Sequence, residues 1–228
     1  MFAAAISLDI TPEMVLRGQG ANPAIITNRK PVLLENAERA IQEGMALLSP
    51  KIIERTIEVI KISHDRIYLE NNLLIENRFI TRELSSAGRI SFIICTIGSA
   101  IEEKVSALYR SDPVLSLAFD GFGTAAIEAL AAFACETVRI RAKEEDLCIS
   151  IPYSPGMIEW PLEKGQNQIF SILQPDPLVV RLTPSFQMIP KKSMSMIIGI
   201  GTGFNHNDRQ TCDFCAARQT CRYRLNRD

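Results

Sequence analysis

The sequence predicts an α+β fold in which helices pack on a twisted, mostly antiparallel sheet. Three stretches carry this prediction. Apolar residues recur every three or four positions over residues 34–48, as they do on one face of a helix. Residues 52–62 alternate in part as a strand does, and residues 89–98 form a largely apolar run bounded by glycines. Such a run is typical of a central strand that is buried on both faces.

The chain opens with a mixed segment, residues 1–30, which we expect to wrap around the outside because glycines and a proline interrupt it. A helix should come next, since Pro31 suits a first helical turn. It should end before Pro50, because a proline disfavours the helical conformation of the residue that precedes it.

Short elements are predicted between the first long strand and residue 110. Turn residues separate two short strands, at residues 67–69 and 73–75, and a short helix is expected over residues 77–86. After the apolar run, Ser99 should cap a helix over residues 100–110. The first turn of that helix carries two glutamates, which suit the helix dipole.

The longest predicted helix begins at Asp112-Pro113 and has a face of small residues. Small side chains let another backbone approach closely, so we expect tight helix packing on this face. The alternative interpretation is that the face borders a ligand cleft. The small residues are Ala118, Gly121, Ala125, Ala129 and Ala132.

A strand at residues 147–151 leads into the turn sequence Ser154-Pro155-Gly156. Proline fixes φ at about −65°, and glycine permits the positive φ that a type II turn needs. We therefore expect a fixed loop whose backbone N–H and C=O groups are open to a ligand. A structural turn between two strands is the alternative.

Two more strands are predicted after a short helix at residues 165–173. Residues 185–190 and 193–199 both alternate, and Lys191-Lys192 is a short basic link between them. We expect these strands to be neighbours, joined as a hairpin.

The loop and the later block together resemble the activation domain of cobalamin-dependent methionine synthase. In that family a Pro-Gly-Tyr loop precedes the block Leu-Thr-x-Ser-Phe-x-Met-x-Pro-x-x-Ser-Val-Ser-Gly. This chain has Ser-Pro-Gly-Met at residues 154–157 and a matching block at residues 182–196. The helix over residues 123–141 resembles the family's long helix, so the resemblance covers roughly residues 113–200. It implies a methionine synthase activation domain-like α+β fold for residues 1–204.

The resemblance implies that this chain binds S-adenosylmethionine in a shallow cleft and has no acid–base catalytic residues of its own. It would be a stand-alone accessory subunit that supports reductive methylation of cob(II)alamin on a separate cobalamin-dependent methionine synthase or related corrinoid methyltransferase. An electron donor is a further implied partner. The implied ligand-binding residues are Tyr153, Ser154, Pro155, Gly156, Met157, Glu159, Ser193 and Ser195.

The chain departs from the family at two positions of the loop. Pro152 stands where the family has an arginine that binds the carboxylate of the ligand, and Met157 replaces the family's tyrosine. Lys191 and Lys192 are candidate replacements for the missing cation. A solvated turn is the alternative role for this lysine pair.

The tail at residues 205–228 carries three of the six cysteines in a Cys-x2-Cys-x5-Cys array. In a reducing compartment this clustering favours a metal site over disulfides, and the spacing suits zinc or an iron–sulfur cluster. The fourth ligand could be His206 or Cys148, or the position could be open, and chance clustering is the alternative. The predicted metal ligands are Cys212, Cys215, Cys221 and His206.

The array also leaves two other functions open. An iron–sulfur cluster in the tail could reduce a corrinoid partner, which would make the chain an electron-transfer protein. Structural zinc would instead indicate an interaction module.

Composition narrows the class of protein. A net charge of −1 over 228 residues argues against a general nucleic-acid binder, which is usually basic. No apolar run of about 18 residues is present, so we expect no membrane span. The apolar start is short and meets Asp9 at once, which argues against a signal peptide. We expect a cytoplasmic protein whose cysteines stay reduced unless they hold a metal.

Overall fold

The computed structural model describes residues 6–29, 31–204, 211–214 and 219. Its mixture of helices with an antiparallel sheet confirms the predicted α+β class. The division into a domain at residues 1–204 and a tail at residues 205–228 stays a prediction, because most of the tail lies outside the described residues.

The helices follow the predicted order, with two additional ones near the N-terminus. They are α1 (Pro12–Gly18), α2 (Pro23–Arg29), α3 (Pro31–Gly44), α4 (Arg78–Glu83), α5 (Ala100–Leu108), α6 (Pro113–Glu144) and α7 (Leu162–Leu173). The strands are β1 (Lys51–Ser63), β2 (Arg66–Leu69), β3 (Leu74–Glu76), β4 (Arg89–Thr96), β5 (Cys148–Ile149), β6 (Arg181–Leu182), β7 (Met188–Ile189) and β8 (Ser193–Gly201).

Six of the strands form one antiparallel sheet in the order β3-β2-β1-β4-β8-β5. The central strand β4 pairs with β1 on one side and with β8 on the other, so that Ile93 lies opposite Glu54 and Met196. Every residue of β4 after Arg89 is buried. The predicted central strand, buried on both faces, is therefore confirmed.

Helical layers cover both faces of the sheet. Helices α1, α3, α5 and α6 pack on one face, and α4, α7 and the segment 150–161 pack on the other. The side chains of β4 alternate between the two cores, because successive residues of a strand point to opposite faces. Ile93 lies in the core with α6, whereas Phe92 lies in the core with Trp160.

The long helix α6 is capped by Asp112, whose side-chain Oδ1 accepts a hydrogen bond of 3.1 Å from the N–H of Leu115. Its small face contacts α1 directly: a Cβ added at Gly121 would lie 2.6 Å from the carbonyl oxygen of Val15. This contact supports the interpretation that small residues permit tight helix packing at Gly121, whereas Ala132 of the predicted face is exposed. The expectation that residues 1–30 only wrap the outside is wrong for α1, because Val15 and Leu16 are fully buried beneath α6.

The predicted hairpin of residues 185–190 and 193–199 is wrong. β7 instead pairs with β6 in a separate two-stranded sheet, and β8 pairs with β4 and β5. Two features explain the difference. The apolar residues of β8 fill the slot beside β4, and the Glu102 carboxylate accepts hydrogen bonds from the backbone N–H groups of Lys191 and Lys192.

Helix α6 is long and apolar enough to cross a membrane by length and composition. However, 67% of its most apolar window is buried inside the protein, and Phe119, Phe122 and Leu130 are fully enclosed. These are the properties of a helix at the centre of a globular core.

Replacing Gly121 with valine should destabilise the fold by about 2 kcal/mol or more, because the added methyl groups would collide with the backbone of α1. Urea unfolding measures this. Ala132→Val is the matched control: it adds a β-branched residue to an exposed position of the same helix and should change the free energy of unfolding by less than about 0.5 kcal/mol. Equal stability of the two variants would contradict the close contact between α1 and α6.

Candidate functional site

The loop at residues 153–160 is attached to the sheet through Tyr153. The N–H of Tyr153 donates to the carbonyl of Ile197 at 3.0 Å, and the N–H of Ile197 donates back at 2.9 Å. Tyr153 therefore extends the sheet beside β8, and its ring is buried, with 2% of the residue exposed. The position of the loop is set by the register of β8.

The loop is held by its own backbone. The N–H of Met157 donates to the carbonyl of Ser154 at 3.2 Å, and the N–H of Gly156 donates to the carbonyl of Trp160 at 2.9 Å. Gly156 has a φ of 95°, which a residue with a side chain rarely adopts, so glycine is required there. The expectation that these N–H groups are open to a ligand is wrong, because the turn itself uses them.

The loop also rests on α7. Pro155 and Trp160 approach Gly165 so closely that an added Cβ would lie 2.7 Å from Pro155 and 2.9 Å from the indole. The indole N–H of Trp160 donates to Oε1 of Gln168 at 3.3 Å, and only 1% of Trp160 is exposed. The loop and α7 therefore form one packed unit.

Three aromatic rings meet where the loop joins α4. The centroids of Phe79, Tyr153 and Phe214 lie 5.6–5.7 Å apart, at angles typical of favourable aromatic pairs. The carbonyl of Phe214 also accepts a hydrogen bond of 3.0 Å from the N–H of Ile158. The described part of the cysteine tail, a short 3₁₀ helix at Thr211–Phe214, thus contacts the loop directly.

A groove of about 450 Å³ opens beside Tyr153. Its walls come from the C-terminal end of α4, from the segment 149–153 and from the chain that follows β8. The Nε of Arg82 donates to Oε1 of Glu83 at 3.0 Å, and the hydroxyl of Tyr153 donates to Oε2 of the same carboxylate at 3.2 Å. The described lining residues are Arg82, Glu83, Ser85, Ser86, Ile149, Ser150, Ile151, Tyr153, Gly203 and Phe204.

The groove brings together only some of the predicted ligand-binding residues. Tyr153 lines it, and residues 154–157 continue directly from Tyr153 along the chain. Glu159 is exposed, with a positive φ of 65°, and its carbonyl accepts a hydrogen bond of 2.8 Å from the side chain of Asn77.

The two predicted serines of β8 lie elsewhere. Ser195 is buried under α7, and its hydroxyl donates to Oε1 of Gln166 at 3.0 Å. Ser193 is the first residue of β8, four positions before the Tyr153 bridge at Ile197, and its hydroxyl donates to the carbonyl of Pro190 at 2.7 Å. Neither serine lines the groove beside Tyr153.

The lysine pair is also remote from the groove. The ammonium of Lys192 lies 2.8 Å from Oδ1 of Asp120 and 2.9 Å from Oγ1 of Thr124, both on α6. α6 packs on the face of the sheet opposite to the loop. Lys192 therefore does not replace the arginine that is missing at Pro152.

Sequence reasoning missed the charged residues of the groove. Arg82 and Glu83 were predicted only as part of a short helix, and nothing in their local sequence marks a ligand site. Glu83 and Tyr153 are 70 residues apart and meet because α4 packs beside the loop. An adjacent cation and anion at a helix end was the only available signal.

The predicted metal ligands lie mostly outside the described residues. Cys215, Cys221 and His206 are not described, and Cys212 is partly buried beside Phe214. Cys148, the other candidate for a fourth ligand, is exposed on β5. The described part of the chain contains no group of three or more His, Cys, Asp or Glu side chains that could hold a metal. The metal site therefore stays a prediction.

No protein-family model and no curated protein matches the sequence. Among solved structures, the MetH reactivation domain bound to AdoHcy matches 86% of this chain and 78% of its own, with a TM-score of 0.64 and 14% sequence identity. The fold is that of the MetH reactivation domain. The resemblance that the loop and the later block indicated is thereby confirmed for the fold.

Likeness to the MetH reactivation domain at 14% identity establishes a shared backbone arrangement. The side chains of the groove must therefore be judged from this chain itself. Those that the structure describes include a guanidinium, a carboxylate, several hydroxyls and the aromatic rings of Tyr153 and Phe204.

Cysteine alkylation should separate exposed from buried thiols. Burial raises the pKa of the Cys135 thiol to about 11 and also raises the pKa of the Cys95 thiol. Because the thiolate is the reactive form, iodoacetamide at about pH 8 should modify Cys148 readily and leave Cys95 and Cys135 unmodified until urea is added. Peptide mass spectrometry measures this, and rapid modification of Cys95 in the folded protein would contradict its burial.

Replacing Phe214 with alanine should loosen the loop. The substitution removes two aromatic contacts, each worth about 0.5–1.5 kcal/mol, so amide hydrogen exchange over residues 154–160 should accelerate at least about fivefold. Exchange over β4 serves as the internal control and should not change. Leu178→Ala, at a position that is 94% exposed, is the control variant. Unchanged exchange in the loop would show that Phe214 does not hold it.

Proposed function

We propose that this protein is a stand-alone reactivation subunit that binds S-adenosylmethionine. It would support reductive methylation of cob(II)alamin on a separate cobalamin-dependent methionine synthase or related corrinoid methyltransferase. The observation that carries the proposal is the fold, which matches a domain described with bound AdoHcy over most of this chain. AdoHcy is the product that remains when S-adenosylmethionine loses its methyl group.

The groove beside Tyr153 supports the proposal. Its volume of about 450 Å³ falls in the range of small-molecule sites, about 300–1,000 Å³. Phe204, which is partly exposed, supplies aromatic surface for a purine ring, and the exposed Ser85 and Ser86 supply hydroxyls for a ribose or an amino acid. This mixture of apolar walls with a few polar groups suits an adenosyl amino acid.

The part assigned to this chain is binding and positioning. A donor would reduce the cobalt of the partner's cob(II)alamin by one electron, and the methyl group of S-adenosylmethionine would then pass to the cobalt, leaving S-adenosylhomocysteine. The described groove holds no nucleophile paired with a base, and this reaction requires none from the subunit. A cytoplasmic location belongs to the same proposal.

The cysteine tail favours a second candidate function, electron transfer to the corrinoid partner. The supporting observation is that Phe214, two residues after Cys212, packs on Tyr153 and accepts a hydrogen bond from the loop. A redox group bound at Cys212, Cys215 and Cys221 would then lie close to the place where the partner's cobalt is reduced. Structural zinc in a non-enzymatic interaction module is the remaining alternative.

Titration with S-adenosylhomocysteine, followed by the fluorescence of the single tryptophan, Trp160, tests the proposed ligand. Gly156→Ala should weaken binding about tenfold, because a side chain at a φ of 95° costs about 1–2 kcal/mol and would distort the loop. Gly98→Ala is the matched control. Gly98 has a φ of 82°, follows the C-terminal end of β4 and does not line the groove, so the variant should lose stability and keep its affinity. Failure of the unmodified protein to bind either S-adenosylhomocysteine or S-adenosylmethionine would refute the proposal.

Anaerobic purification followed by absorption spectroscopy and metal analysis separates the three candidates. A visible chromophore that is lost in the Cys212→Ser/Cys215→Ser variant would favour electron transfer. A colourless protein with one zinc ion and no ligand binding would favour the interaction module. A colourless protein that binds S-adenosylmethionine would leave the reactivation subunit alone.

A further inference from the structure

The groove beside Tyr153 has walls from two segments that are far apart in sequence, and α4 carries one of them. Glu83, at the C-terminal end of α4, accepts a hydrogen bond of 3.2 Å from the hydroxyl of Tyr153. The ring of Phe79 packs at a near-perpendicular angle against the ring of Tyr153. These contacts attach the start of the loop to α4. The end of the loop is attached by a different residue, Asn77.

The side chain of Asn77 uses both ends of its amide. Its Oδ1 accepts a hydrogen bond of 2.9 Å from the N–H of Ile80 and so caps the N-terminus of α4. Its Nδ2 donates to the carbonyl of Glu159 at 2.8 Å. Because a backbone N–H only donates and a carbonyl only accepts, these two partners determine which end of the amide faces each of them. One side chain is therefore bonded to the first turn of α4 and to the end of the loop.

The backbone of Asn77 is itself fixed. Its N–H donates to the carbonyl of Asp65, in the turn between β1 and β2, at 2.9 Å. Its carbonyl accepts a hydrogen bond of 2.8 Å from the hydroxyl of Thr81, a buried residue of α4. Asn77 thus connects the sheet, α4 and the loop.

The end of the loop depends on contacts of this kind. Glu159 has a φ of 65°, in the left-handed region that most residues with a side chain avoid, and its carbonyl is the group that Asn77 holds. A second side-chain amide holds the next residue. Gln168 accepts a hydrogen bond from the indole of Trp160 and donates to the carbonyl of Glu76, both at 3.3 Å. Residues 76 and 77 therefore anchor residues 159 and 160.

We propose that Asn77 is a positioning residue for the ligand groove. By bonding α4 and the loop at the same time, it keeps the two walls of the groove at a fixed spacing. Asn77 is not among the described residues that line the groove, so it acts through α4 and Glu159 and does not touch the ligand. The inference rests on the proposed function for its ligand, whereas the attachment of the loop can be measured without one.

Asn77→Ser separates the two hydrogen bonds of the side chain. Serine caps a helix as well as asparagine does, so α4 should be retained and the melting temperature should stay within a few degrees of the original. Serine has no Nδ2 donor for the carbonyl of Glu159. Amide hydrogen exchange should therefore accelerate about three- to tenfold at Met157, Ile158 and Trp160, whose N–H groups are hydrogen-bonded, and stay unchanged over β4.

Isothermal titration of the full chain with S-adenosylhomocysteine measures the consequence for the groove. Asn77→Ser should weaken binding about three- to tenfold through the loss of one hydrogen bond. Asn77→Asp should weaken binding further, because a carboxylate keeps the shape and the cap but presents a second acceptor to the Glu159 carbonyl. A role in capping alone predicts equal affinity for all three proteins, since asparagine, serine and aspartate cap equally well.

Asn36→Ser is the matched control. Asn36 lies on α3, on the opposite face of the sheet, and its Nδ2 donates to the carbonyl of Val32 at 2.7 Å. The same substitution there removes an amide-to-carbonyl hydrogen bond of the same kind. It should change neither the affinity nor the exchange of the loop.

The outcomes keep the inference apart from the proposed function. Unchanged exchange of the loop in both Asn77 variants would overturn the inference whatever the ligand. Faster exchange with unchanged affinity for S-adenosylhomocysteine would overturn the positioning role and leave the proposed function standing. If the unmodified protein binds neither S-adenosylhomocysteine nor S-adenosylmethionine, the proposed function fails and the positioning role fails with it.

Discussion

Burial of β4 on both faces is the constraint on which the rest of the structure depends. Because its side chains alternate between two cores, a shift of β4 by one residue would place Phe92 and Ile94 in the wrong layer. That register fixes β8 as its neighbour, and β8 in turn fixes Tyr153 through the paired hydrogen bonds with Ile197. The position of Tyr153 at the candidate site therefore depends on the register of the central strands.

The loop and α4 contribute different features to the groove. Within residues 154–160, the N–H groups of Gly156, Met157 and Trp160 donate to carbonyls of the same segment, and the segment packs on Gly165, so the loop acts as a rigid wall. The charged groups come from Arg82 and Glu83, which belong to a different part of the chain. The wall and the charged side chains of the groove therefore come from separate parts of the chain.

Much of the fold could be predicted from the sequence because its strongest signals are local. The periodicity before Pro50, the run at residues 89–98 and the Asp-Pro start of α6 each determine an element without help from distant residues. The partners of the strands could not be predicted in this way: β7 pairs with β6 because Glu102, about 90 positions away, turns the link at Lys191 towards α5. The same limit explains why the turn at Ser154-Pro155-Gly156 was recognisable whereas Arg82 was not. A turn is encoded in adjacent residues, but a groove is formed by segments that meet only after folding.

The contact between Phe214 and Tyr153 connects the described part of the tail to the groove. Tyr153 touches Phe214 through its ring and Glu83 through its hydroxyl, so both regions share a single buried side chain. If the proposed tail site and the proposed ligand site both exist, a change at Cys212 that displaced Phe214 would alter ligand binding beside Tyr153, and the ligand would alter affinity at the tail by the same factor. Reciprocity of this kind requires no movement of the sheet. It would depend only on the ring contact between Phe214 and Tyr153.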